Sequence, residues 1–172
     1  SSIVVAKNHI KEQDIDFYIV GLRGSANKSD WKINLETEQV PYGGSTVEEF
    51  KTFAQTVKAD ETVPMVHKGF NEYVNTVLSA TMQDGSSSKR FVEEIKNNPK
   101  VRVLLTGHSL GGAVATLTAE RLVRMGIEKW RVPVITFGAP ALGNAAFAKA
   151  YGDKILLWRI TNTADPVPGS LQ

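Results

Sequence analysis

The stretch VRVLLTGHSLGGAVATLTAERLVRM, residues 101–125, is the part of the chain that most strongly indicates its fold. Residues 101–105 form a nearly unbroken apolar run, which is typical of a central strand in a parallel sheet. Residues 110–125 carry apolar side chains at helical spacing, namely Leu110, Val114, Leu117, Leu122 and Met125. Gly126 follows as the expected helix C-cap. The stretch therefore predicts a strand, a sharp turn and an amphipathic helix in direct succession.

The turn within this stretch, Gly107-His108-Ser109-Leu110-Gly111, matches the pattern G-x-S-x-G. In that pattern a serine hydroxyl is presented at a strained strand-to-helix turn, and the glycines let strand and helix approach closely. The start of the helix supplies free N–H groups that suit a developing oxyanion. We predict that Ser109 is a nucleophile and that the Leu110 N–H is one oxyanion donor. A glycine-rich turn without chemistry is the alternative, and the flanking strand and helix argue against it.

The remaining chain alternates strand patterns with amphipathic helix patterns, which predicts a mostly parallel sheet covered on both faces. Residues 1–172 are expected to form one α/β domain of the α/β-hydrolase type that is incomplete at its C-terminal end. Thr46 is an expected N-cap, with Glu49 completing a capping box. The predicted strands span residues 3–6, 16–22, 101–105, 132–137 and 155–161. The other predicted helices begin at Thr46 or span residues 69–82, 88–97 and 144–151, with a loop at 84–88.

Composition restricts the classes of function. The 172 residues are 42% apolar and 22% charged, as in an ordinary globular domain, and the net charge of +2 is too small to indicate nucleic-acid binding. No apolar run is long enough for a transmembrane helix. The chain has no cysteine, which excludes disulfides and thiolate metal sites. No paired histidines or carboxylate cluster indicates a metal or an organic cofactor, so none is expected.

The loop after the predicted strand 16–22 begins Arg23-Gly24-Ser25, and Ser25 is the candidate for a second oxyanion donor. An ordinary polar turn is the alternative. Residues 26–39, ANKSDWKINLETEQ, place Trp31 among charged residues. This segment is either a lid that covers an apolar acyl pocket or a surface helix whose tryptophan packs on the body.

Several stretches in order along the chain resemble the class 3 lipases, the family of the fungal triacylglycerol lipases. GHSLGG (107–112) resembles their nucleophile motif, and LRGSANKSDWKINL (22–35) resembles their oxyanion loop and lid. VHKGFNEY (66–73), VPVITFGAPALGNAAFAKAY (132–151) and NTADPVP (162–168) resemble three further elements of the family. By position, the resemblance implies that Ser109 is the nucleophile, Asp165 the triad acid, Ser25 and Leu110 the oxyanion donors, and Trp31 a lid residue.

The resemblance also implies a serine ester hydrolase whose substrate is a lipid ester, with triacylglycerol the first expectation. It implies transient contact with a lipid–water interface and favours an extracellular location. A phospholipase or a feruloyl-type esterase is the alternative within the same fold, because one fold hosts several ester chemistries. A non-catalytic lipid- or partner-binding homologue is the alternative outside enzymes.

The triad acid is also expected from the chain itself. Asp165 follows the last predicted strand, as the triad order Ser, Asp, His requires, and Pro166 favours an extended backbone there. Asp153 precedes that strand and is expected to be a solvated turn residue.

The base is not evident in this sequence. His9, His67 and His108 all precede Asp165, whereas the triad order places the histidine after the acid. We expect His108 to be structural, His67 to be packed and hydrogen-bonded, and His9 to be exposed. Three explanations stay open: a chain truncated before its histidine, a degenerate binding protein, or an unusual base. Loss of a triad member costs about 10⁴–10⁶-fold in rate, so these 172 residues alone are expected to be nearly inactive.

Overall fold

A computed structural model describes residues 2–23, 38–84 and 87–161 of the chain. The strands in chain order are β1 (Ser2–Ile10), β2 (Ile15–Arg23), β3 (Gln39–Pro41), β4 (Met65–His67), β5 (Thr81–Asp84), β6 (Ser87–Arg90), β7 (Val101–His108), β8 (Val134–Phe137) and β9 (Leu157–Ile160). The helices are α1 (Val47–Thr56), α2 (Lys68–Leu78), α3 (Phe91–Asn97), α4 (Leu110–Arg124) and α5 (Ala145–Tyr151), with a short 3₁₀ helix at Lys129–Arg131.

Five strands form the central sheet, in the order β1-β2-β7-β8-β9. β1 pairs with β2 in antiparallel orientation, and the other three pairings are parallel. β3 with β4, and β5 with β6, form two small antiparallel pairs outside this sheet. The four parallel strands therefore end at one common edge, which we call the carboxyl edge.

Local sequence signals account for the helix ends. The Thr46 hydroxyl accepts a hydrogen bond from the Glu49 N–H at 3.1 Å, and the Glu49 carboxylate accepts from the Ser45 N–H at 2.6 Å. The first bond confirms the predicted N-cap at Thr46, and the Glu49 carboxylate binds the N–H of the residue before the cap. At the far end of α4, Gly126 has a φ of 104°, a conformation that glycine adopts without a Cβ clash.

Helix α4 lies at the centre of the core. Every residue from Gly111 to Leu122 is buried, including the charged Glu120 and Arg121. The predicted apolar stripe is therefore only part of what this helix buries. It contacts β2, β7 and β8 on one side and α2 on the other.

Residues 81–90 differ from the prediction. The sequence pattern predicts a second helix to Met82 and a third from Ser88, but the structure ends α2 at Leu78 and pairs β5 with β6. The third helix then starts at Phe91. Gly85 and Ser86 separate the two strands in the sequence, and a two-residue Gly-Ser connection is a hairpin signal. The predicted loop at 84–88 is wrong at Asp84, Ser87 and Ser88, which lie in the paired strands.

Within the described residues, the two faces of the central sheet differ in burial. Along β7 the burial alternates strictly, with Val101, Val103 and Leu105 buried and the residues between them half-buried. β2 and β8 show the same alternation. The helices of the described residues therefore cover one face of the sheet, and no described strand residue on the opposite face is buried.

In the described part of the chain, no helix is both long and apolar enough to cross a bilayer.

Candidate active site

Ser109 lies between the end of β7 and the start of α4, in an unusual backbone conformation. Its φ is 55° and its ψ is −123°, and Asp14 is the other described non-glycine residue with a positive φ. Two backbone hydrogen bonds hold this turn. The Ser109 N–H donates to the Phe137 carbonyl at 2.8 Å, and the Ser109 carbonyl accepts from the Gly112 N–H at 3.0 Å. The turn is thus the sharp strand-to-helix elbow that the G-x-S-x-G pattern predicts.

The glycines of the elbow are required by close approach. A Cβ on Gly107 would lie 2.3 Å from the backbone carbon of Gly111, so no side chain fits there. A Cβ on Gly112 would lie 2.8 Å from the Ala139 Cβ and 3.0 Å from the Gly107 carbonyl oxygen. β7, α4 and the segment after β8 meet at this point, and the missing side chains let them pack.

The hydroxyl and the helix start have the features of a nucleophile site. The Ser109 Oγ is shielded from solvent and has no hydrogen-bond partner among the described residues. A buried polar atom without a partner is rare in folded proteins and often marks a functional group. The Leu110 N–H lies in the first turn of α4, where N–H groups have no acceptor within the helix.

The strands that lead to the other predicted site residues end beside this elbow. In the sheet register Arg23 of β2 pairs with His108, and Phe137 of β8 also pairs with His108. Ile160 of β9 pairs with Phe137. β2 and β9 therefore end at the carboxyl edge, on the same side of the sheet as Ser109. Ser25, Trp31 and Asp165 follow these strands in the sequence and lie outside the described residues.

His67 acts as a helix cap. It is 5% exposed, and its Nδ1 accepts hydrogen bonds from the Gly69 N–H at 3.1 Å and the Phe70 N–H at 3.4 Å. Its ring stacks on Phe70 with centroids 4.2 Å apart. Burial lowers the pKa of His67 below its usual value, which favours the neutral ring that can accept these bonds. The expectation of a packed, hydrogen-bonded histidine is confirmed.

The other two histidines lie at opposite ends of the sheet. The His9 Nδ1 is 2.8 Å from the Asp16 carboxylate, and its side chain is half exposed, as expected. Asp16 pairs with Val101 at the start of β7, about 25 Å from Ser109 along the strand. His108 is exposed at the end of β7. Asp153 lies in an exposed turn, also as expected.

A buried polar cluster that the sequence analysis did not anticipate surrounds the middle of α4. Glu120 is fully buried, forms an ion pair with Arg124 at 2.8 Å and accepts a hydrogen bond from the Tyr42 hydroxyl at 3.5 Å. Burial raises the pKa of Glu120 to about 7. Arg121 donates to the side chains of Asn71 and Asn75 and stacks over Phe50, and burial lowers its pKa to about 10. We call these residues the α4 cluster.

The described residues contain no group of three or more His, Asp or Glu side chains that could hold a metal ion. The candidate site therefore rests on the serine, the elbow glycines and the helix N-terminus.

A mostly parallel sheet with a serine at a strand-to-helix elbow on its carboxyl edge, its hydroxyl shielded from solvent, defines an α/β-hydrolase-type fold. The model of the class 3 lipase family matches residues 19–171, so the chain belongs to that family.

Three relatives illustrate the similarity. Phospholipase A1-II 1 of Oryza sativa subsp. indica is 29% identical over 160 residues, covering 87% of this chain and 38% of the relative. The secreted mono- and diacylglycerol lipase 1 of Fusarium solani is 32% identical over 152 residues, with the same two coverages. A solved triacylglycerol lipase, described as having a serine protease triad as its catalytic centre, is 26% identical with a TM-score of 0.57. This last comparison covers 95% of this chain and 58% of that one. The chain thus spans less than two thirds of each of these proteins.

Proposed function

We propose that the protein hydrolyses carboxylic esters of lipids, with Ser109 as the nucleophile. The observation that carries the proposal is the elbow itself, where a serine with a φ of 55° holds a buried, unpartnered Oγ at the start of α4. Strain of this kind persists only where the surrounding structure enforces it, and it concentrates at functional sites. Membership of the class 3 lipase family supports the same chemistry.

The proposed reaction is a two-step acyl transfer. The Ser109 Oγ attacks the ester carbonyl while a base takes its proton, and the bond to the alcohol breaks as that proton passes to the leaving oxygen. Water then attacks the acyl-enzyme, and the acid product leaves. We propose the Leu110 N–H, in the first turn of α4, and the Ser25 N–H as the two donors that stabilise the oxyanion. We propose Asp165 as the acid that orients the base and Trp31 as a lid residue.

We propose that the base is a histidine other than the three in this sequence. His67 already uses its Nδ1 as a helix cap, and His9 lies at the opposite end of the sheet from Ser109. His108 is the last residue of β7, directly before Ser109, and it is exposed. None of the three has the geometry of a base that accepts the Ser109 proton.

The experiment that tests this proposal is covalent labelling with a fluorophosphonate, followed by mass spectrometry of the labelled peptide. We expect one phosphonyl group on Ser109, slowly in these 172 residues and rapidly in a form that contains the base. Ser109→Ala is the control and should show no label. Labelling that persists in this variant, or a folded protein containing all triad members that does not react, would exclude Ser109 as the nucleophile.

Triacylglycerol is the first proposed substrate, as the resemblance to the fungal lipases implies. Phospholipid is the second candidate, because the rice relative is a phospholipase A1. Release of fatty acid from a triolein emulsion, compared with release from phosphatidylcholine vesicles, separates the two. Activity confined to short soluble esters would contradict both and favour a non-lipid esterase.

A further inference from the structure

Residues 137–139, which we call the β8 turn, connect the elbow to the last described strand of the sheet. The Phe137 carbonyl accepts the hydrogen bond from the Ser109 N–H. The next residue, Gly138, donates its N–H to the Ile160 carbonyl of β9 at 2.9 Å. The backbone of the β8 turn is therefore bonded to the elbow on one side and to β9 on the other.

Arg159 of β9 adds a side-chain bond to the same turn. Its guanidinium donates to the Ala139 carbonyl at 2.7 Å, and a hydrogen bond from a charged donor is stronger than one between neutral groups. In the sheet register Arg159 pairs with the buried Thr136 of β8. The Cβ of Thr136 lies 3.1 Å from where a Cβ on Gly112 of α4 would be. Arg159 is thus on the face of the sheet that α4 covers.

The residue that Arg159 holds packs against the start of α4. Ala139 is 8% exposed, and a Cβ on Gly112 would lie 2.8 Å from the Ala139 Cβ. Arg159 and Ala139 line a small cleft together with Ala113 and Thr116 of α4. Because close-packed groups transmit displacements, the position of Ala139 affects the first turn of this helix. Arg159 therefore acts on two supports of the elbow, namely the β8 turn and the start of α4.

We propose that Arg159 is a positioning residue for the proposed ester hydrolysis. By holding the Ala139 carbonyl, it keeps the β8 turn against α4 and so fixes the Ser109 hydroxyl for attack. Reacting groups must be held within about 0.5 Å of the productive geometry, and a displacement of about 1 Å can lower a rate about 10²-fold. This inference rests on the proposed function, in which Ser109 is the nucleophile. Arg159 itself takes part in no bond that forms or breaks.

Fluorophosphonate labelling of Ser109 at increasing probe concentration tests the proposal. The measurement gives a maximal rate and a half-saturating concentration. Arg159→Met removes the donor and keeps an unbranched apolar stem, so we expect the maximal rate to fall about 10- to 100-fold while the half-saturating concentration stays within about twofold. Arg159→Lys keeps a charged donor on a shorter arm and should recover most of the rate. An unchanged maximal rate in Arg159→Met would overturn the proposal.

Arg131→Met is the matched control. Arg131 also uses its guanidinium to bind backbone carbonyls, those of Ile95, Asn98 and Val101, but it does so near the start of β7. The elbow follows the other end of that strand. We expect Arg131→Met to lower stability at least as much as Arg159→Met and to change the maximal labelling rate of the folded protein by no more than about twofold. Equal losses of rate in the two variants would show that Arg159 only stabilises the fold.

A second variant and a second measurement complete the test. Arg159→Gln is neutral and too short to keep the bond, so it provides the same comparison if Arg159→Met does not fold. Hydrogen exchange of the Ser109 N–H reports the bond to Phe137 without any reaction. We expect this exchange to be at least about tenfold faster in the donor-free Arg159 variants than in Arg131→Met. Unchanged exchange at Ser109 would overturn the positioning role.

Failure of this inference and failure of the proposed function give different results. A wild type that is labelled at Ser109 as fast as its Arg159 variants contradicts the positioning role alone. A wild type that carries no label on Ser109 contradicts the proposed function and, with it, this inference.

Discussion

Ser109 has a strained backbone conformation that hydrogen bonds to neighbouring elements stabilise. A non-glycine residue in such a backbone region costs about 1–3 kcal/mol. The hydrogen bond from its N–H to the Phe137 carbonyl and the bonds that its own carbonyl accepts from α4 hold it in place. The backbone strain therefore lies at the residue whose hydroxyl the proposed reaction uses.

Two substitutions at this position separate strain from chemistry. Ser109→Gly and Ser109→Ala both remove the hydroxyl, so both should abolish phosphonate labelling. Only glycine relieves the positive φ, so we expect Ser109→Gly to exceed Ser109→Ala in free energy of unfolding by about 1 kcal/mol. Urea denaturation of the two variants measures this difference. Equal stabilities, or a more stable alanine variant, would show that the elbow is not strained.

Glu120 makes stability depend on pH. Its pKa is raised from 4.5 to about 7 by burial, so the folded state binds the proton more tightly than the unfolded state. This contribution is complete below pH 4.5 and is lost as the pH rises to about 7. Between about pH 5 and pH 8, we expect the unfolding free energy of the wild type to fall relative to Glu120→Gln by on the order of 2–3 kcal/mol. Denaturation at both pH values provides the comparison.

The comparison of the wild type with Glu120→Gln isolates the contribution of Glu120 to the pH dependence of stability. Groups that titrate in both, such as His67, cancel when the two pH dependences are subtracted. Parallel pH dependences in the wild type and in Glu120→Gln would mean that Glu120 is already ionised at low pH in the folded state.

The α4 cluster could not be predicted from the sequence. Glu120 and Arg121 are adjacent charges on a helix, and such residues are normally exposed. They are buried because Tyr42, Asn71 and Asn75 reach them from other elements. Those partners are distant in sequence, and nothing in the local pattern around residue 120 indicates them.

At the scale of elements, the contact between β7 and α4 depends on a glycine. Gly107→Ala would place a Cβ 2.3 Å from the Gly111 backbone, so strand and helix must separate. We expect this variant to lose at least about 3 kcal/mol of stability and to lose phosphonate labelling.

Gly21→Ala is the matched control for that variant. Gly21 lies on the neighbouring strand, paired with Thr106, and its nearest non-local atom would be 3.8 Å from an added Cβ. We expect a change within about 1 kcal/mol at Gly21. Thermal denaturation of both variants checks the contrast, and similar losses at the two positions would contradict the proposed close approach.

The start of α2 depends on the ring of His67. Because Nδ1 accepts from two N–H groups, His67→Ala should cost about 1–2 kcal/mol, whereas Asn can accept similar bonds and should lose less. The pKa of His67 is lowered in the folded state, so its contribution is present above pH 6.5 and is lost as the pH falls below it. Chemical denaturation at neutral pH ranks the two variants. A more stable alanine variant would rule out the cap.

Local signals explain which elements were predicted correctly. The N-cap at Thr46 and the glycine cap at Gly126 depend on neighbouring residues, and the structure confirms both. The β5–β6 pair was missed because a helical pattern in residues 69–82 was continued through its first strand. Its residues are stabilised by pairing with each other, for example Met82 with Lys89, which a helical periodicity does not detect.

At the scale of the whole molecule, the three histidines lie in different elements. His9 lies beside Asp16 near the start of the parallel strands, His67 caps a helix, and His108 ends β7. We expect His9→Gln and His108→Gln to change the rate of phosphonate labelling by no more than about twofold. A fall of about 10³-fold or more in the labelling kinetics of either variant would identify that histidine as the base.

Only part of the candidate site could be predicted from the sequence and compared with the structure. Ser109, Leu110 and the elbow glycines follow from one local pattern, and the structure confirms the strand-to-helix turn that this pattern predicts. The catalytic roles of Ser109 and Leu110 stay predictions. Ser25, Trp31 and Asp165 stay predictions, although the strands before Ser25 and Asp165 end beside the elbow.

The hydrogen bond between the Phe137 carbonyl and the Ser109 N–H joins the turn after β8 to the reacting group. The position of the hydroxyl is therefore fixed by β7, β8 and α4, the described elements that meet at the elbow. We expect exchange of residues 24–37 and 162–172 between homologues to transfer preference for one lipid over another and to leave the attacking oxygen where it is.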